Sequence, residues 1–137
     1  MSRYFIELTY RGTNYAGFQK QDNAHTVQAE LEMALATVFR AEFQLTGSSR
    51  TDAGVHALQN YFHFDTPLLL EDRMIYNLNA VLPEDLAVKS LRRVADSAHC
   101  RFDAVSRSYR YHICRRKQPF LVDRAYFFPY TLDISLM

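Results

Sequence analysis

The chain has 137 residues, of which 48% are hydrophobic, 14% aromatic and 23% charged. This mix fits one globular domain with a substantial core and excludes a disordered or collagen-like chain. No apolar run approaches the ~20 residues that span a bilayer, and Met1 leads into Ser2, Arg3 and Tyr4 with no apolar signal core, so the sequence reads as cytoplasmic. The net charge of +1 conceals an asymmetry: residues 1–90 carry 7 basic and 11 acidic side chains, whereas residues 91–124 carry 9 basic and 3 acidic. A basic segment of that kind is an electrostatic footprint for a polyanion, with a solvated charged face as the plainer alternative.

In chain order, Tyr4, Ile6, Leu8 and Tyr10 alternate with Phe5, Glu7 and Thr9, the period of two that predicts a strand with one buried face. Residues 11–18, with Gly12 and Gly17, read as a loop. A helix is predicted from Val27, Leu31, Ala34, Leu35 and Val38, with Thr26 as its N-cap. Ala29 stands where a capping-box Glu would be, so only half of that motif is present. Phe43 to Thr46 predicts a short second strand, Gly47 to His56 a loop, and Tyr61 to Asp65 a third strand. Met74, Ile75, Leu78, Val81 and Leu82 mark a second helix stopped by Pro83. Leu86 to Val94 predicts a fourth strand, and Tyr109, Tyr111 and Ile113 alternate as a fifth. The order β-α-β-β-α-β places the chain in the α+β class, with a ferredoxin-like or RRM-like antiparallel sheet, both helices on one face and the other face free. An open sheet face suits nucleic acid, although the topology serves many functions.

Reactive and turn-forming groups are densest in Arg50-Thr51-Asp52-Ala53-Gly54-Val55-His56-Ala57. Gly54 lets the backbone double back so that the Asp52 carboxylate points into a cleft, and a cation two residues away favours the ionised carboxylate that a nucleophile or base requires. The commoner reading of a loop aspartate is an Asx-turn with a surface ion pair to Arg50; spacing alone leaves both open. The two cysteines, Cys100 and Cys114, read as reduced thiols. His112 with Cys114 and His99 with Cys100 lack the second pair that a tetrahedral metal site needs, so no metal is expected.

The segment Arg50 to Ala57 resembles the signature of the tRNA pseudouridine synthase A family. Further similarities follow in order: Tyr10-Arg11-Gly12 with Tyr15-Ala16-Gly17-Phe18-Gln19 and Gln21, Thr26-Val27-Gln28 with Leu31-Glu32 and Ala34-Leu35, Asn79-Ala80-Val81-Leu82-Pro83, and Arg101-Phe102-Asp103-Ala104 with Arg107, Tyr109 and Tyr111. The resemblance implies cofactor-free isomerisation of uridine to pseudouridine in the anticodon stem-loop of tRNA, by a homodimer. It implies that Asp52 is the essential carboxylate, acting as nucleophile or base. It implies that Tyr109 stacks on a flipped uracil, and that Arg50 pairs with Asp52 and contacts the displaced nucleotide. Arg92, Arg93, Arg101, Arg107, Arg110, Arg115, Arg116 and Lys117, interleaved with aromatics, are then candidate tRNA contacts. A non-catalytic RNA-binding module using the same basic and aromatic face is the alternative.

Members of the family are longer and built from two related halves. The expected organisation is therefore an N-terminal catalytic half-domain over residues 1–117, with 118–137 leading into a C-terminal half that this chain lacks. Such a half is expected to have little or no activity alone.

Overall fold

The computed structural model describes residues 1–137. They form two compact units, Met1–Val105 and Ser106–Met137, described in turn.

The first unit begins with β1 (Ser2–Tyr10), followed by α1 (Val27–Phe39), β2 (Thr46–Gly47), β3 (Ala57–Thr66), α2 (Ile75–Val81, entered through a short 3-10 turn at Asp72–Met74) and β4 (Leu86–Val94). The sheet order is β2-β3-β1-β4, and every pairing is antiparallel. This is the predicted ferredoxin-like arrangement. In β1 the even residues Tyr4, Ile6, Leu8 and Tyr10 are buried, opposite Phe64 and Phe62 of β3 and Leu91 of β4. Val27, Leu31, Ala34 and Leu35 of α1 and Leu78 of α2 close over that face and complete a single core. Thr26 caps α1 as predicted, its hydroxyl accepting from Ala29 N at 3.3 Å.

The second strand is shorter and later than predicted. Phe43 and Leu45 are buried, but Phe43 packs edge-on against Phe64 at 5.3 Å and beside Phe39 at 5.8 Å in irregular backbone, and only Thr46 and Gly47 pair with β3. Their alternation records burial, whereas a strand also needs a partner for its backbone groups.

The sheet face away from the helices is not entirely free. His63, opposite Phe5, is buried because the turn that follows β4 folds back over it. Arg3 Nη1 donates to Ala98 O at 2.8 Å, Cys100 Sγ lies 3.1 Å from His63 Nδ1 and donates to Thr46 O at 3.2 Å, and His99 stands edge-on to the His63 ring. Burial pushes the Cys100 thiol up to about 11.

The second unit has no buried residue. Its regular structure is β5 (Ile113–Cys114) paired in parallel with β6 (Tyr126–Phe127) and two 3-10 turns. The predicted fifth strand is thus confined to its last two residues. His112 O still accepts from Tyr126 N of β6 at 2.7 Å, but Tyr109, Arg110 and Tyr111 have no neighbouring strand to complete a ladder, and Tyr109 and Tyr111 are exposed.

Candidate active-site loop

The segment from Ser48 to His56 joins β2 to β3 and is held against the loop that follows β1. Phe18 N donates to Thr51 O at 3.1 Å, Gly54 N to Tyr15 O at 3.4 Å, and Gly12 N to His56 Nδ1 at 2.8 Å. The two backbones are in direct contact, since a Cβ on Gly12 would stand 2.0 Å from Val55 O. The first loop is itself anchored on both sides. Val27 N and Gln28 N, at the start of α1, donate to Gly17 O at 3.1 Å and Phe18 O at 2.9 Å. Across the unit, Tyr15 Oη donates to Asp85 Oδ1 at 2.6 Å and Asn14 Nδ2 to Asp85 Oδ2 at 3.2 Å. Burial, followed by the Asp85 carboxylate, raises the Tyr15 hydroxyl far above its ordinary value and keeps it a donor.

Within the segment, Val55 N donates to Asp52 O at 3.2 Å and Gly54 has φ of 79°, the positive angle that the third residue of a type II turn requires. The turn is therefore closed by backbone groups. The Asp52 side chain, exposed at the turn, makes no hydrogen bond or ion pair within the chain, so the Asx-turn reading does not describe it. Arg50 is exposed as well and forms no ion pair with Asp52. It lines, with Phe18, Gln28, Ser49 and Arg101, a cleft of about 190 Å3, where Arg101 Nε donates to Gly47 O at 3.1 Å.

Of the other predicted contact residues, Arg92 and Arg93 lie exposed on β4, opposite Phe5 and Tyr4 of β1. The second unit carries Arg107, Tyr109, Arg110, Arg115, Arg116 and Lys117, all exposed. There Arg115 and Arg116 share a groove of about 530 Å3 with Cys114, Gln118 and Leu121. The residue that sequence reasoning missed is Asn60, a buried amide beneath the Asp52 segment. Its signal was its parity with Phe62 and Phe64, which places a polar side chain on the apolar face of a strand.

A family profile described as tRNA pseudouridine synthase matches residues 8–103, a span that holds both loops, the end of β1 and all of β2, β3 and β4. The chain belongs to the tRNA pseudouridine synthase family. The tRNA pseudouridine synthases A of Staphylococcus aureus strains Newman and N315 are each 41% identical to it over 138 aligned positions, covering 98% of this chain and 52% of theirs. The chain thus spans about half the length of the curated relatives it matches. The span shared with the tRNA pseudouridine synthase profile falls inside the first unit and includes Arg50, Asp52, Arg92, Arg93 and Arg101. Tyr109 and the remaining basic residues follow it.

Proposed function

We propose that this chain carries the catalytic half of an enzyme that isomerises uridine to pseudouridine in the anticodon stem-loop of tRNA, with Asp52 as the catalytic carboxylate. The observation that supports this reading most directly is the presentation of Asp52 on a loop braced by a second loop, with its carboxylate unused by the turn. In the reaction the N1–C1′ glycosidic bond breaks, the uracil rotates, and a C5–C1′ bond forms; the proton on C5 leaves to solvent and N1 gains one, so the product is an isomer and no redox cofactor is required. A carboxylate suits this chemistry because it attacks or stabilises the electron-poor sugar centre without a metal.

The substrate uridine is flipped from its stack to reach Asp52. Tyr109 stacks on the uracil, and Arg50, beside Arg101 in its cleft, contacts the phosphate or the displaced nucleotide. Arg92, Arg93, Arg107, Arg110, Arg115, Arg116 and Lys117 contribute phosphate contacts that make affinity salt-dependent. The full-length protein works as a homodimer in the cytoplasm. The 137 residues alone turn over little or no substrate, because the rest of the uridine pocket lies in the half of the relatives' length that they do not cover.

The test is Asp52→Asn in the protein at its full encoded length, measured by tritium release from tRNA carrying 5-tritiated uridine. Release falls to background while tRNA binding stays within about twofold, since the substitution removes a charge and keeps the shape. Turnover equal to the parent's would sink the assignment.

A further inference from the structure

We propose that Asn60 and Tyr10, two buried side chains, are positioning residues that hold the Arg50–Asp52 segment through a chain of hydrogen bonds; the part of this concerning turnover rests on the function proposed above. Asn60, in β3, and Tyr10, at the end of β1, are 5% and 4% exposed. Asn60 Oδ1 accepts from Ser48 Oγ at 2.7 Å and from Ser49 Oγ at 3.0 Å. Its Nδ2 donates to Tyr10 Oη at 3.2 Å, and Tyr10 Oη is hydrogen-bonded to Thr51 Oγ1 at 2.8 Å. The chain thus grips Ser48 and Ser49 before Arg50 and Thr51 after it, and Thr51 adjoins Asp52. Both residues proposed to act on the substrate project from backbone that is fixed on either side.

Burying an amide on the apolar face of a strand costs stability unless every polar group finds a partner. Here the buried side-chain nitrogens and oxygens all have one, and a fully satisfied network of this kind selects one arrangement over near alternatives. An apolar residue at position 60 would serve the core as well, next to Phe62 and Phe64. What it would not supply is a direction for Ser48, Ser49 and Thr51. The aromatic stack of Tyr10 on Phe18 at 5.9 Å, and of Phe18 on Phe62 at 4.2 Å, anchors the ring whose hydroxyl makes the link.

Tyr10→Phe removes only that hydroxyl and keeps the stack, Thr51→Val breaks the same link from the other end, and Thr51→Ser retains it. In the full-length protein, amide hydrogen exchange across residues 48–55 rises on the order of tenfold or more in Tyr10→Phe and Thr51→Val. Exchange in the middle of β1 and β3 stays at the parent rate, and Thr51→Ser behaves as the parent. The turnover arm reads kcat for pseudouridine formation, which falls on the order of 10- to 100-fold in the first two variants with KM held within about twofold, as expected when a catalytic group is misplaced. Unchanged exchange at residues 48–55, or a rise spread equally over β1 and β3, overturns the proposal, as does parent-like kcat in both variants. A parent protein that forms no pseudouridine would instead refute the proposed reaction, and the exchange arm would still decide the positioning.

Discussion

Val55 occupies the space where a side chain at position 12 would go. A methyl added to Gly12 meets Val55 O, C and N at 2.0, 2.7 and 3.0 Å, all backbone atoms with no rotamer to give way. At Gly54 the space around a methyl is open and only the positive φ of 79° stands against it. The two positions separate two penalties: overpacking, which costs about 1–3 kcal/mol, and left-handed backbone strain, which costs about 1–2 kcal/mol. Gly12→Ala is expected to be the more destabilising in urea titration and also to loosen Thr51 and Asp52, whose loop it pushes away. Gly54→Ala loses stability without disturbing the neighbouring loop. A larger loss for Gly54→Ala would show that the contact with Val55 is easily relieved.

Among the elements, β4 is exposed at one edge of the sheet, and α2 protects it. The Asn79 carboxamide accepts from Val88 N at 2.8 Å and donates to Val88 O at 3.0 Å, imitating a further strand at the residue beside the register shift between Glu7 and Leu8. Asn79→Ala leaves both backbone groups without these partners and should destabilise by about 1–3 kcal/mol, seen as a lower urea midpoint with an unchanged slope. No loss would mean that water replaces the amide there. Asn79 stood in a motif singled out from the sequence, but its partner did not: pairing between a helix and a strand edge follows from tertiary placement. The strand β1 and the helix α1 were legible because their apolar residues keep one period along the element, and β4 was legible from Leu86, Val88, Leu91 and Val94 although its parity changes at the register shift with β1. Phe43 to Leu45 and Tyr109 to Tyr111 misled because alternation carries no information about a hydrogen-bonding neighbour. Arg50 and Asp52 were legible as candidates, while their lack of an ion pair was not, since spacing along a loop leaves side-chain directions open. The cover over His63 was also hidden, because it comes from a turn some 37 residues away along the chain.

At the scale of the whole molecule, that cover makes stability depend on acid. Burial foremost, then His99 and Arg3, hold His63 below its ordinary value of 6.5; Asp65 opposes them and Arg101 adds to them. The folded state therefore binds a proton at His63 less readily than the unfolded chain does. By linkage, stability rises with pH between the lowered folded value and about 6.5 and is lost as pH falls through that window. The paired carboxylates act lower down: hydrogen bonds from Arg3 to Asp65 and from Gln59 to Glu7 depress both groups, and the stability they contribute disappears only as those carboxylates protonate. Urea midpoints measured from pH 7.5 to 5 should decline in the parent and decline less in His63→Gln. Equal slopes in the two proteins would assign the acid sensitivity elsewhere.

The two cysteines differ in the same way that their surroundings do. Cys100 is buried against His63 with its thiol held up to about 11, whereas Cys114 is half-buried in the second unit, next to Arg115 and Arg116. A maleimide dye applied to the folded chain near neutral pH is thereby directed to Cys114, because thiolate is the attacking form and Cys100 offers almost none. Cys114 is therefore a labelling position inside the basic segment, where a fluorescent dye tests the tRNA contacts proposed above.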